Sequence, residues 1–299
     1  MTTTQSAAVI GAFVADALSL GAHWVYNTGV IDKKFGRVEQ YYDPLTSYHK
    51  GKHAGDFTHY GDQTLVLLES LTHEKGFDAL CFANAWRAFF RDYTGYVDQA
   101  TKATLANMDA DNPLTESGSD SDDLAGASRL AVLVSVYDGN ADALAEMARA
   151  QTAITHNNRQ VIVAADFFAR IVSAVLAGQS PAAVMQASIE AGSVDDLIAP
   201  LITMGLESQT RDTRETIAEF GQMCSVEAGL PSAVHLIARY ENDYRTAMVE
   251  NVMAGGDSSA RGMIAGMVLG AALGMEAIPD IWRSGMAARD RINTLLGLV

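Results

Sequence analysis

Two segments set a carboxylate beside glycines at the entrance to a helix, where backbone N–H groups are free to act on a ligand. In AGGDSSARGMIAGMVLGAALG, Gly255 and Gly256 permit an unusual turn, and Asp257 or Ser258 can cap the helix that follows. Arg261 stands one turn further in, so the helix start could grip a phosphate through N–H donors, the positive dipole end and a guanidinium fork. An ordinary N-cap accounts for the same residues equally well. In HAGDFTHYGDQTLVLLESL, Asp62 and Gln63 precede the apolar run Leu65, Leu67, Leu68 and Leu71. Asp62 is either a cap contributing roughly 1 kcal/mol or a working carboxylate. His49, His53, His59, Tyr41, Tyr42, Tyr48, Phe57 and Tyr60 crowd the chain before it, a composition suited to stacking a base and hydrogen-bonding a sugar or phosphate. Asp16 shares an apolar helix stripe with Phe13, Ala17 and Leu20 and must find a partner, which makes it either structural, for example at another helix's N-terminus, or catalytic. His156, in Thr155-His156-Asn157-Asn158, is a structural helix-start histidine or a proton-transfer and substrate-contacting group.

The elements that hold these residues read as helices. The chain has 299 residues with 47 alanines and six prolines, so few positions oppose helix formation. Val161, Ala165, Phe168, Val172 and Val175 recur at helical offsets between an Asn cap and Gly178. Ser180-Pro181, Leu230-Pro231 and Ile278-Pro279 are expected to open three more helices. Further helices are expected near 6–20, 63–74, 78–92, 125–137, 141–150, 195–207, 212–222, 243–253 and 258–273, with no alternating strand. Gly262, Gly266, Gly270 and Gly274 line one face and predict a buried helix closely approached by another. Residues 24–60 and 108–124 read as long loops, the second either a solvated acidic one, the favoured reading, or a calcium-holding one without the EF-hand spacing. With no composition shift or repeat, residues 1–299 are expected to form one compact multi-helix bundle, all-α.

Composition narrows the function classes. A formal net charge of -15 disfavours a nucleic-acid or anionic-membrane surface. Cys81 and Cys224 have neither disulfide-framework nor zinc-motif spacing. The N-terminus lacks a positive n-region, and the apolar stretch Gly262 to Met275 would reach only ~21 Å. A cytoplasmic, non-membrane protein is expected.

In order and over nearly the whole chain, these segments resemble the ADP-ribosylglycohydrolase family, which includes the dinitrogenase-reductase-activating glycohydrolases. IGAFVADALSLGA looks like the family's GALLGxAxGDALG, YGDQTLVLLESL stands where it has TDDTxMALxxxxxL, and ITHNNRQVIVAADFFARIV is similar to THxxxxxxxAA. AGGDSSARGMIAGMVLGAALGMEAIPDIW follows GGDTDTxAAIxGAxxGAxxGxxxIPxxW, including Pro279 and Trp282.

That resemblance implies an all-helical bundle with a central cleft, in which ADP-ribose is removed from a modified protein side chain or small acceptor. It also implies magnesium or manganese held by the second and last motifs. Carried over, the ligand positions fall on Gly61, Asp62 and Gln63, and on Asp257, Ser258, Ser259 and Ala260. Asp62, Gln63, Asp257 and Ser259 are the available donors, and with two carboxylates among them at most one weakly held ion is expected. Asp62 would activate water and Asp257 stabilise charge at the anomeric carbon. Gly255, Gly256, Ser258 and Arg261 would hold the diphosphate, with His59 and His156 also contacting substrate. The alternatives are a catalytically silent ADP-ribose or nucleotide binder and a helical protein that serves only to bind a partner.

Overall fold

The computed structural model describes residues 1–298. It is all-α: helices follow one another from Thr3–Ser19 to Arg289–Leu295, and no strand occurs among the described residues. The opening helix, Thr3–Ser19, begins at a capping box in which Thr2 and Gln5 satisfy each other's backbone N–H groups. Nearly every residue after that first turn is buried, so this helix has no solvent face and runs through the interior.

Its principal partner is Ser258–Leu273, the helix with the glycine face. A Cβ placed on Gly266 would stand 2.5 Å from the Gly11 carbonyl oxygen, and one on Gly270 would stand 2.4 Å from that of Ala7. Only hydrogen at these positions permits the two backbones to approach so closely. The contact compensates the helix-propensity loss of about 1 kcal/mol per glycine. Gly274 serves differently, ending the helix in the left-handed region at φ 77°.

Around this pair the helices His59–Glu74, Arg159–Leu176, Val226–Arg239 and Tyr244–Met253 complete one contiguous apolar cluster extending from Ala7 to Leu296. Several boundaries differ from the sequence reading. Pro231 lies inside Val226–Arg239 rather than opening it; the carbonyl its ring leaves without a donor belongs to exposed Glu227, where water can satisfy it. The stretch 24–60 contains the helix Thr28–Phe35, started by the Asn27 side chain, and a short turn at Ser47–His49. Gln99–Asp109, Leu114–Ser117 and Arg289–Leu295 are further helices, and 125–137 is one α turn followed by a 3-10 run from Arg129 to Val136. No described helix is long and apolar enough to cross a membrane.

Candidate functional site

A cluster of buried polar residues gathers where the opening helix ends, the aromatic loop returns and the helices His59–Glu74 and Ser258–Leu273 begin. Asp16 is fully buried at that junction. Its Oδ2 accepts from the Thr58 N–H at 2.9 Å, and its Oδ1 accepts from the Thr58 hydroxyl at 2.6 Å and from the Ser259 hydroxyl. Burial raises its carboxyl from 3.8 to about 6, against the hydrogen bonds that favour the ion. Asp16 therefore ties two helix starts together, the structural alternative of the sequence reading. Its position also explains Gly61: a Cβ there would lie 2.2 Å from Asp16 Oδ2.

Asp62 is not a cap. Thr58 caps that helix, its Oγ1 accepting from the Tyr60 N–H, and Asp62 lies a turn in and half-buried. Asp62 Oδ2 accepts from the Lys52 ammonium at 2.5 Å and from the Tyr93 hydroxyl at 2.6 Å. Gln63 turns away from it, its Oε1 accepting from the Trp86 indole N–H at 2.8 Å in the packing against Ala79–Asp92.

Asp257 caps Ser258–Leu273 through Oδ1, while its Oδ2 lies 3.2 Å from the Trp24 indole nitrogen and 3.0 Å from the Tyr60 hydroxyl. The same hydroxyl lies 2.9 Å from Asp123 Oδ2. A phenol has one proton and can donate to one of these carboxylates, so the other contact requires a proton on a carboxyl group. Electrostatics agree: burial raises both carboxyls, and for Asp123 the charge of Asp257 raises it further. The pair holds a proton at pH values where an ordinary aspartate has lost it. The Cys224 thiol, within 4.8 Å of both carboxylates, is pushed up by burial and by their charge and stays protonated.

Beside Asp257 and Asp98 lie three imidazoles, His23, His49 and His59, none more than 1% exposed. His49 Nε2 is 3.1 Å from His59 Nδ1, His59 Nε2 is 3.3 Å from Asp98 Oδ2, and His23 Nδ1 is 4.0 Å from Asp257 Oδ1. Burial lowers His23 well below its usual range and His49 to about 3. Trp24 stacks on His23 with centroids 4.6 Å apart and meets Tyr48 and Tyr96 edge-on at 4.9 and 5.2 Å. Trp24 adopts φ 63°, a left-handed conformation that costs a bulky residue on the order of 1 kcal/mol or more. That conformation aims the indole at both His23 and Asp257.

Other residues expected to contact a ligand are engaged by or buried within the protein itself. The N–H groups of Gly255, Gly256, Asp257 and Ser258 donate to the carbonyls of Val252, Val25, Gln222 and Gly256, so the glycine turn offers no open anion cradle. Arg261 is 1% exposed; its Nε donates to Asn251 Oδ1 at 2.8 Å and its Nη2 to the carbonyls of Asn251 and Gly255. It clamps the turn from within rather than reaching for a diphosphate. His156 is buried against Gly126, with Nδ1 2.9 Å from the Thr155 hydroxyl, and burial and Arg129 lower it to about 3. His59 is interior too. Sequence alone does not single out His23, Trp24, Lys52, Tyr93, Tyr96 or Asp98, and it assigns Asp123 to a solvated loop, whereas the structure buries it. The tetrad His23-Trp24-Val25-Tyr26, matching the aromatic loop in composition, was the available signal.

A pair of magnesium or manganese ions does not fit the motif positions. Gly61 has no donor, Gln63 is engaged by Trp86, Ser259 by Asp16, and a lysine ammonium already lies against Asp62. Hard divalent ions take about six oxygen ligands, several of them anionic where binding is tight.

The profile of the ADP-ribosylglycohydrolase family matches residues 6–299. The chain is 25% identical over 295 residues to crystallin J1A of Tripedalia cystophora, covering 93% of this chain and 90% of that one. It is 24% identical over 289 residues to an uncharacterised protein of Archaeoglobus fulgidus, covering 96% and 92%. A solved structure described as an ADP-ribosylglycohydrolase-related protein complex shares the fold, with a TM-score of 0.72 at 23% identity over 98% of this chain and 95% of that one. With the all-helical architecture and a family match along nearly its entire length, the chain belongs to the ADP-ribosylglycohydrolase family.

Proposed function

We propose that the protein hydrolyses the bond between the anomeric carbon of an ADP-ribosyl, or similar ribosyl nucleotide, group and its acceptor. The observation that carries this reading is the Asp123–Asp257 pair around the Tyr60 hydroxyl, buried carboxyls that retain a proton. Glycoside hydrolysis needs a proton donor for the leaving atom and negative charge near the anomeric carbon, and a pair sharing one proton supplies both. Asp62, half-buried and held by Lys52 and Tyr93, takes the proton of the attacking water. The water oxygen bonds to the anomeric carbon as the bond from that carbon to the acceptor breaks, and the carboxyl proton passes to the departing atom. Trp24, Tyr48 and Tyr96 offer ring faces and edges for the base or ribose.

A second reading, a catalytically silent nucleotide binder, is favoured by the Lys52 ammonium lying against the oxygen that would accept the proton. One experiment separates them: calorimetric titration with ADP-ribose beside release of ADP-ribose from modified arginine and serine peptides. Release that falls about 10²–10⁴-fold in Asp257→Asn, with the fold retained, supports the hydrolase. Binding without release selects the silent binder, and neither binding nor release removes both.

A further inference from the structure

We propose that His23, His49 and His59 form a binding site for one nitrogen-preferring transition-metal ion of the zinc class. Each contributes one ring nitrogen, and the three nitrogens lie within 4.8 Å of one another. Two of them, His49 Nε2 and His59 Nδ1, are 3.1 Å apart. Two imidazoles bound at about 2.0–2.1 Å to one tetrahedral ion stand about 3.3 Å apart, so this pair needs almost no rearrangement.

A hydrogen-bonded histidine cluster explains the arrangement less well. The 3.1 Å contact can be a hydrogen bond between neutral rings, but it satisfies only those two nitrogens. Both nitrogens of His23, Nδ1 of His49 and Nε2 of His59 have no hydrogen-bond partner, and all three residues are at most 1% exposed. A neutral imidazole always carries one N–H, so His23 on its own buries an unanswered donor and acceptor. An ion accepting the inward lone pair of each ring removes the acceptor deficit and fixes each tautomer, with the proton on the outward nitrogen. Asp98 stands 3.3 Å from His59 Nε2, where a carboxylate orienting a ligating histidine belongs, although that contact is not aligned as a hydrogen bond without the ion.

The donor chemistry selects the ion. Neutral imidazoles suit zinc, cobalt, nickel and copper, whereas magnesium and manganese prefer oxygen. Three nitrogen donors leave the fourth tetrahedral position open, and the Asp257 carboxylate, 4.0 Å from His23 Nδ1, is a negative charge close to that ring. None of the three histidines occupies a motif position discussed above for magnesium or manganese. The proposal does not rest on the hydrolase reading and stands even if no ADP-ribose is released.

The test uses tag-free, full-length protein. Metal content after purification without chelator is measured by mass spectrometry, and chelator-dialysed protein is titrated with cobalt while the visible absorption of four-coordinate cobalt is followed. One equivalent should bind, zinc should displace it and excess magnesium should not. His49→Ala should weaken cobalt binding at least 100-fold, and Asp98→Asn by about 10- to 100-fold. Far-UV circular dichroism establishes that each variant is folded, with His23→Gln replacing any that is not. Wild-type protein that binds no cobalt overturns the proposal without reference to any variant. So does a stoichiometric site whose affinity His49→Ala and His23→Gln leave unchanged.

Discussion

Replacing Arg261 by methionine tests whether this side chain holds the turn that presents Asp257. Methionine keeps much of the volume and removes the charge and all donors. The change leaves the carbonyls of Asn251 and Gly255 and the Asn251 amide oxygen without the hydrogen bonds they now receive in a site 1% exposed. Each stranded buried acceptor costs about 1–3 kcal/mol, and the Asp257 charge loses the nearest guanidinium. These terms share one site and do not add fully, which leaves an expected loss of about 3–5 kcal/mol. For a chain of this length each kcal/mol lowers Tm by roughly 2 °C, so Tm should fall by about 6–10 °C. Urea denaturation and thermal scans read the loss. Amide exchange at residues 255–258 should accelerate more than in the Arg159–Leu176 helix. A fall below about 2 °C with unchanged exchange in the turn would refute the clamp and return Arg261 to a ligand-facing role.

Gly61→Ala places a methyl 2.2 Å from Asp16 Oδ2, and overpacking there should destabilise by about 1–3 kcal/mol in urea titration, where an exposed helical glycine would gain from alanine. Asp16 binds its proton more tightly folded than unfolded, so its contribution is fully present below pH 4 and is lost as pH rises through about 6. The rise from 3.8 to about 6 corresponds to roughly 3 kcal/mol, so wild type should lose about that much relative to Asp16→Asn between pH 4 and 7.5; a constant difference would contradict the shift. Gln63→Asp with Ser259→Asp should not create tight magnesium binding in calorimetry, because the first side chain faces Trp86 and the second would confront the Asp16 carboxylate.

The glycine face was legible because spacing alone says which helix side lacks Cβ atoms, and Gly11 and Ala7 are what that side meets. The long helices were legible for the same reason, periodicity with caps at each end. Pro231 misled because proline marks a first turn only when nothing upstream can start a helix, and Ser225 and Val226 do so a turn earlier. At the site, sequence identified positions but not directions. Asp62 and Gln63 are neighbours, yet successive helical residues diverge by about 100°, which sends one to Lys52 and the other to Trp86. Arg261 carries the residue type a phosphate wants, but its burial is decided by Asn251, ten residues upstream on another helix. Likewise His23, His49 and His59 come from three separate segments, and only the folded chain brings their nitrogens together.

The departures from the family motifs are locally compensated. Gly61 is required by Asp16, Gln63 is answered by Trp86, Ser259 by Asp16, and Asp62 by Lys52 and Tyr93. A chain retaining only a scaffold would gain stability by filling the remaining polar space with apolar side chains, since buried unpaired groups cost more than they return. Instead the interior keeps two carboxyls around one phenol proton, a half-buried thiol beside them, and a fully buried imidazole with no hydrogen-bond partner. The Trp24 backbone conformation, itself unfavourable, orients a side chain toward that same group. Polar groups that no packing contact needs set this site apart from the clamps at Arg261 and Asp16, and the ligands proposed above would answer them.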